Sequence, residues 1–161
     1  MSTTELAISL AENIKNEELR KIVLDSLEKR GDWTNSVRAF HALYECPDVS
    51  DIGTTEGAWH MSAERLDLRM DLIKEEVKEL DDAVIDRNEV EMADALGDII
   101  YVVVGFAIEL GINLNDVVAE IQASNMTKLG DDGEVIRRDD GKILKGPNYK
   151  RPDIKGVLKY R

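Results

Sequence analysis

Five acidic residues in the middle of the chain have the spacing to bind a divalent cation together. Glu75, Glu76 and Glu79 belong to the segment IKEEVKEL, and at about 100° per helical residue all three lie on one side of a helix. On the next segment, Asp94 and Asp98 are four residues apart and stack one helical turn above the other. Carboxylates crowded in this way repel one another unless cations lie between them. Hard oxygen ligands suit Mg²⁺ or Mn²⁺, and either ion can bind the oxygens of a phosphate.

The same residues have a second interpretation, because a glutamate-rich helix face is commonly just a solvated surface. Lys74 and Lys78 lie beside the three glutamates and can pair with them along such a face. Asp98 is harder to explain in this way, since it directly precedes the most apolar run of the chain, Ile99 to Ile108. A carboxylate buried there needs a metal, a base or a hydrogen-bond donor. We therefore expect Asp98 to be buried and to take part in a functional site.

Two long helices are expected to position these acids. Apolar residues recur at helical spacing from Ser62 to about Asp86. Asn88 begins a second helix, with Glu91 as its capping partner, and this helix ends at Gly111. The short turn between them would make the helices antiparallel and would bring one acidic face against the other. The second helix is apolar nearly all round, which places it at the centre of a bundle or in a dimer interface.

The rest of the chain predicts shorter elements around this pair. Residues 3–29 form one helix interrupted near Asn16 or two short helices, and the other expected elements are a helix over 33–44, a loop over 46–60, a helix over 114–128 and a hairpin around 134–138 between two Asp-Asp-Gly triplets. The sequence therefore predicts an all-α fold, a bundle of four or five helices with a short β-containing C-terminal tail.

Composition narrows the classes of partner. The chain has 161 residues and a net charge of −12, so nucleic acids and anionic membranes would be repelled. Cys46 is the single cysteine, which excludes an internal disulfide and fits a reducing compartment. The N-terminal residues lack the basic and apolar regions of a signal peptide, and the longest apolar run is too short to span a bilayer. A soluble, cytoplasmic protein that binds neither nucleic acid nor membrane is expected.

Several segments, taken in order, resemble a known family. EEVKE (Glu75–Glu79) followed by ADALGDIIYVV (Ala93–Val103) resembles the paired-helix signature of the MazG-like, all-α NTP pyrophosphohydrolases, whose usual form is EExxE on one helix and ExxD on the next. That superfamily also contains the phosphoribosyl-ATP pyrophosphohydrolases and the dimeric dUTPases. The segments SVRAFHALYECP, AEIQASNMTKL and DGKILKGPNYKRPDIKGVL extend the resemblance over about residues 33–158. It divides the chain into an N-terminal helical extension, residues 1–32, and a MazG-like domain, residues 33–161.

One position departs from the family pattern. Asp98 takes the place of the aspartate in ExxD, but the glutamate position holds Ala95. Asp94, one residue earlier, would supply the missing carboxylate, or Glu91 would do so from one turn below.

The resemblance implies a reaction and the residues that carry it. A Mg²⁺-dependent enzyme of this family would convert a (d)NTP and water to the (d)NMP and pyrophosphate, with dUTP or another deoxynucleotide as substrate. Glu75, Glu76, Glu79 and Asp98, with Asp94 as the replacement ligand, would hold Mg²⁺ or Mn²⁺. One of the three glutamates would orient or deprotonate the attacking water. In the C-terminal part, the residues implied to approach the nucleotide are Asn125, Lys128, Lys145 and Tyr149.

Two other functions remain open at this point. A phosphoribosyl-ATP pyrophosphohydrolase would share the scaffold and the metal site but not the substrate. A helical interaction protein without catalytic activity is compatible with Ala95 in place of the motif glutamate. In every case the apolar second helix favours a homodimer or homotetramer.

Overall fold

The computed structural model describes residues 2–28, 31–48, 61–130 and 132–159. The helices within these ranges, here numbered along the chain, are α1 Thr3–Ala11, α2 Glu17–Glu28, α3 Trp33–Leu43, α4 Ala63–Ile85, α5 Glu89–Glu109, α6 Leu114–Met126 and α7 Ile154–Lys159. The all-α prediction is confirmed. The helices outnumber the four or five expected because residues 3–28 form two helices and because α7 lies in the tail, where no helix was predicted. Most of the loop expected over residues 46–60 lies outside the described residues.

Polar side chains fix the helix starts. Asn16 accepts a hydrogen bond from Leu19 N at 3.0 Å at the start of α2, and Ser62 accepts one from Arg65 N at the start of α4. Asn88 accepts from two backbone amides in the first turn of α5. At the other end of α5, Gly111 has a φ of 66°, a left-handed conformation that suits glycine and ends the helix. These starts and stops lie within a residue or two of those predicted.

The chain forms two compact units, Met1–Ile112 and Asn113–Arg161. In the first unit, α4 and α5 pack along each other, α3 packs on α5, and α2 links α3 to α1. A small apolar cluster of Ala11, Val23 and Ala39 joins the three N-terminal helices. The boundary predicted between residues 32 and 33 stays a prediction, because it was drawn from the family resemblance and the division into compact units does not test it.

In the second unit, α6 packs on α7, and the tail between them carries the predicted hairpin in reduced form. Arg137 and Ile143 form an antiparallel bridge, closed by the turn that contains Gly141. Leu144 N donates to Ile136 O at 2.8 Å on one side of the bridge. The β structure in the described part of the tail is this one bridge.

Among the described residues, no single helix is long and apolar enough to cross a membrane, although α5 and α6 taken together reach the necessary length and composition.

Candidate active site

A tight turn joins the two helices that carry the acidic residues. Arg87 adopts a left-handed φ of 55°, and Asn88 N donates to Ala83 O at 3.0 Å, which closes the C-terminal end of α4. Asn88 then caps α5 with its side chain. Because only Asp86, Arg87 and Asn88 separate the helices, the chain must reverse at once. The predicted antiparallel pair is confirmed.

The structure brings four of the predicted acids within electrostatic reach of the fifth, Glu76. Burial raises the pKa of Glu76, and the charges of Asp98, Glu79, Glu75 and Asp94, in that order of influence, raise it further. The Oε2 atom of Glu76 is buried and has no hydrogen-bond partner among the described residues. A buried carboxylate oxygen without a partner is costly, and a bound cation or a proton would compensate it.

The burial expected for Asp98 is wrong for this chain. Asp98 and Asp94 are both exposed, whereas Glu76 is the half-buried member of the group. Proximity in sequence to an apolar run therefore did not translate into burial of this carboxylate. The orphaned oxygen that points to a ligand belongs to Glu76.

A divalent cation fits this group by chemistry and by charge. Among the described residues, no three acidic, histidine or cysteine side chains already lie close enough to form a closed ligand set. Uncompensated carboxylates repel one another, so an open arrangement is the one expected of the protein alone. Oxygen donors from two facing helices, one of them buried without a partner, suit Mg²⁺ or Mn²⁺.

The structure shows the surroundings of Ala95, the residue that stands where the family's ExxD pattern has glutamate. This side chain is only 3% exposed, so the position that the family fills with glutamate is here part of the packing. Glu91 was expected to cap α5 reciprocally with Asn88. Asn88 N is instead occupied by Ala83 O, which leaves the Glu91 carboxylate outside that capping role. Glu91 and Asp94 are moreover separated by two residues, which is itself the ExxD spacing.

A buried charged network lies on the same pair of helices and was missed from the sequence. Glu109 is 2% exposed. Arg65 donates two hydrogen bonds to its carboxylate, from Nε to Oε2 at 2.7 Å and from Nη2 to Oε1 at 2.5 Å. Arg69 also donates to Oε1. Burial alone would raise the pKa of Glu109, but the hydrogen bonds from Arg65 and Arg69 hold it below its ordinary value. The available signal was a glutamate that directly follows the most apolar run of the chain, Ile99 to Ile108.

The network extends to α3 through His41. This side chain is 2% exposed, and its Nδ1 lies 2.7 Å from Pro47 O. Gly105 makes room for the contact, because a Cβ added there would lie 3.1 Å from His41 Nε2 and 3.3 Å from Arg69 Nη1. Three helices of the first unit therefore meet at one buried polar centre.

The second unit brings together three of the four residues implied to approach the nucleotide. The Nζ atom of Lys145 lies 4.3 Å from the ring centroid of Tyr149. A hydrogen bond with Ser124 lowers the pKa of Tyr149, and Lys145 and Lys128 lower it further. Gly146 N donates to Lys128 O at 3.0 Å, which holds the tail against the end of α6. Asn125 lies one turn earlier on α6, half-buried.

Comparison with known proteins agrees with the acidic helix pair. The family model described as phosphoribosyl-ATP pyrophosphohydrolase matches residues 50–125, which include the acidic residues of both helices. The resemblance of the chain to the MazG-like superfamily is thereby confirmed. An uncharacterized protein of Acanthamoeba polyphaga mimivirus is 60% identical over 48 residues, which is 30% of this chain and 19% of that protein. The chain thus spans about a fifth of the length of this curated relative.

Proposed function

We propose that the chain is a Mg²⁺-dependent nucleotide pyrophosphohydrolase that converts a (d)NTP and water to the (d)NMP and pyrophosphate. The carrying observation is the half-buried Glu76, whose orphaned oxygen faces the charges of four other carboxylates. The family match supports the same class of reaction. A cation would compensate these carboxylates, and a triphosphate is the substrate class that would bring phosphate oxygens to such a cation.

The division of work among the residues follows from their positions. Glu75, Glu76 and Glu79 on α4, with Asp98 and Asp94 on α5, would hold Mg²⁺ or Mn²⁺, which neutralises phosphate charge when bound. A glutamate of the EExxE segment orients the water and accepts its proton as the water oxygen attacks the α-phosphorus. The bond to the bridging oxygen breaks, and pyrophosphate leaves. Any of Glu75, Glu76 and Glu79 has the carboxylate chemistry of a proton acceptor.

The cations of the second unit are proposed to contact the nucleotide. Lys128 and Lys145 flank the hydroxyl-bearing ring of Tyr149, and Asn125 lies one turn away. Ammonium groups and a phenol form charge-assisted hydrogen bonds with phosphate oxygens. Lys145→Ala should therefore raise KM for a triphosphate more than it lowers kcat.

A panel of nucleotides tests the proposal. Phosphate release coupled to an added pyrophosphatase, with and without Mg²⁺, should show hydrolysis of at least one (d)NTP that depends on the metal, with dUTP the first to try. Phosphoribosyl-ATP belongs in the same panel, because the matching family carries that name. Hydrolysis of phosphoribosyl-ATP alone would select that second function. No hydrolysis of any member would favour a non-catalytic helical protein.

The assembly and location of the protein are proposed with the function. We propose a homodimer or homotetramer in the cytoplasm, acting on small nucleotides and binding neither nucleic acid nor membrane. Val77 and Val84 on α4 are 50% and 53% exposed in the single chain, and Leu96 on α5 is 52% exposed. A second copy that covers these side chains would bury apolar surface that water otherwise contacts.

A further inference from the structure

The acidic group and the buried charged network lie on the same two helices at matching positions. Arg65 precedes Glu76 by eleven residues on α4, and Glu109 follows Asp98 by eleven residues on α5. Eleven residues make about three helical turns, or roughly 16 Å. Arg65 therefore lies on the same face of α4 as Glu76, and Glu109 lies on the same face of α5 as Asp98.

The pair Arg65 and Glu109 and the pair Glu76 and Asp98 also belong to one antiparallel register. In such a pair, moving a given number of residues forward along one helix corresponds to moving the same number backward along the other. Arg65 contacts Glu109, and the charge with the largest influence on Glu76 is that of Asp98. Gly105 lies opposite Arg69 in the same register, since a Cβ there would meet Arg69 Nη1 at 3.3 Å. The alignment that joins arginine to glutamate is thus the alignment that joins the two acidic faces.

The two ends of the helix pair are held in different ways. The short turn at Asp86, Arg87 and Asn88 fixes one end through the backbone. At the other end, Arg65 binds Glu109 through both arms of its guanidinium, a planar contact that restricts rotation as well as distance. Arg69 also donates a hydrogen bond to Glu109, and its Nη2 atom lies 3.2 Å from Nε2 of His41. The acidic group lies between these two fixed ends.

We propose that Arg65 and Glu109, supported by Arg69, are positioning residues that set the register and rotation at which the carboxylates of α4 meet those of α5, and so set the affinity for the divalent cation. The inference about the metal rests on the proposed function, whereas the inference about register does not. Stability alone is a weak reason for such a network, because well-packed apolar residues commonly replace buried ion pairs without loss. Fixing register is the better-supported use of buried polar groups.

The first measurement follows the register without any metal. In a Cys46→Ser background, disulfide formation is compared for Glu76→Cys with Asp98→Cys and for Glu76→Cys with Asp94→Cys. The parent register should favour the first pair over the second. Adding Arg65→Gln, at a side chain that is partly exposed and so tolerant of change, should reduce this preference.

The second measurement is the affinity for Mn²⁺, read from its electron paramagnetic resonance signal on the full chain without nucleotide. Arg65→Gln and Glu109→Gln should each weaken binding by more than about threefold, within the range expected for coupling between distant sites. Arg65→Lys, which keeps the charge but loses the two-armed contact, should fall between Arg65→Gln and the parent. Ile108→Val is the matched control, since it removes buried packing beside Glu109 without touching the network.

The outcomes separate the two proposals. If Arg65→Gln lowers the melting temperature but leaves the disulfide preference and the Mn²⁺ affinity within threefold of the parent, the network is only structural and the inference is overturned. If the parent binds no Mn²⁺ and the disulfide preference still falls, the register role stands and the proposed function fails. Should Arg65→Gln not fold, Arg65→Lys carries both measurements. An equal loss of affinity in Ile108→Val would also overturn the inference.

Discussion

The Nε2 atom of His41 accepts a hydrogen bond from Nη2 of Arg69 at 3.2 Å. Pro47 O can only accept, so the 2.7 Å contact to Nδ1 places the imidazole proton on that nitrogen. Nε2 then carries the lone pair that faces the guanidinium. His41 is therefore a neutral, oriented acceptor that ties α3 to the helix pair bearing the acids.

Gly105→Ala should destabilise the protein, by about 1–3 kcal/mol. The added Cβ would lie 3.1 Å from His41 Nε2 and 3.3 Å from Arg69 Nη1, and both side chains are held by hydrogen bonds and cannot retreat. Gly97→Ala is the control on the same helix, where a Cβ meets nothing within 4 Å. It should stabilise the protein by roughly 0.5–1 kcal/mol through helix propensity. Urea unfolding measures both, and equal effects would contradict the packing argument.

Glu109→Gln should cost about 3–5 kcal/mol at neutral pH, because two arginines lose the buried charge that compensates them. The pKa of Glu109 is held below its ordinary 4.5 in the folded protein. The contribution of this ionised group to stability is therefore complete above pH 4.5, and it is lost as the pH falls from there through the folded pKa. In urea titrations from neutral pH to about pH 3, the gap between parent and variant should narrow in that window. A gap independent of pH would show that the ionised form is not what matters.

Glu76→Gln and Glu79→Gln should separate stability from activity. The pKa of Glu76 is raised, so its ionised form costs stability above that pKa, and the apo parent gains stability as the pH falls through it towards 4.5. The amide removes this cost, so the apo variants should melt no lower than the parent at neutral pH. Nucleotide hydrolysis should nevertheless fall by orders of magnitude, and Mg²⁺ should raise the melting temperature of the parent more than that of the variants.

Asp67→Asn is the control for these variants. Asp67 is exposed on α4, and at about 100° per residue it lies on the side opposite Glu76. It should leave both hydrolysis and the Mg²⁺-dependent melting shift unchanged. Hydrolysis at the parent's rate in Glu76→Gln would mean that the acids form only a solvated surface.

Asp94→Asn and Glu91→Gln should identify the carboxylate that replaces the one absent at Ala95. Asp94 acts on Glu76 electrostatically, so Asp94→Asn should weaken both Mg²⁺ dependence and activity strongly. Glu91→Gln should change activity little, and the loss of one negative charge in the first turn of α5 should cost roughly 0.3–1 kcal/mol at most. Steady-state kinetics against Mg²⁺ concentration decide the matter. The opposite ranking would place the ligand at Glu91, in the literal ExxD spacing with Asp94.

Light scattering at micromolar concentration should show at least a dimer. Val84→Asp, at a position 53% exposed in the single chain, should shift the population towards monomer if α4 lies in the interface. Val90→Asp is the matched control, since Val90 is 75% exposed beside the cap of α5. A parent that is monomeric and binds no dye specific for exposed apolar surface would contradict the assembly proposal.

The sequence predicted the helix pair well because its ends depend on local chemistry. Asn88 and Gly111 each act through hydrogen bonds or φ angles within a few residues, so their meaning can be read without the rest of the fold. The short helix Ile154–Lys159 was missed because six residues that include Gly156 are too few for a helical pattern to stand out within a basic tail. The hairpin turn was anticipated, but pairing beyond the bridge at Arg137 and Ile143 depends on contacts that spacing alone does not reveal.

The burial of charged side chains was the part that sequence spacing could not predict. Asp98 adjoins an apolar run and yet is exposed, whereas Glu109 lies within that run's helix and is buried. The two residues lie on the same face of α5, so the difference comes from what covers that face at each level, and Arg65 and Arg69 cover it at Glu109. Arg65 and Arg69 look like ordinary surface charges of an amphipathic helix until their distant partner is known.

The tight turn at Arg87 also affects the stage of folding at which the carboxylates of α4 and α5 come close together. Helix pairs closed by short turns form from local contacts, and such contacts assemble early because little loop entropy is lost. We therefore expect Glu76 and Asp98 to approach each other while much of the chain is still unfolded. A cation that relieves their repulsion would then lower the barrier to folding as well as serve the folded protein, and we expect the ionic composition of the medium to change the rate at which the chain reaches its native state.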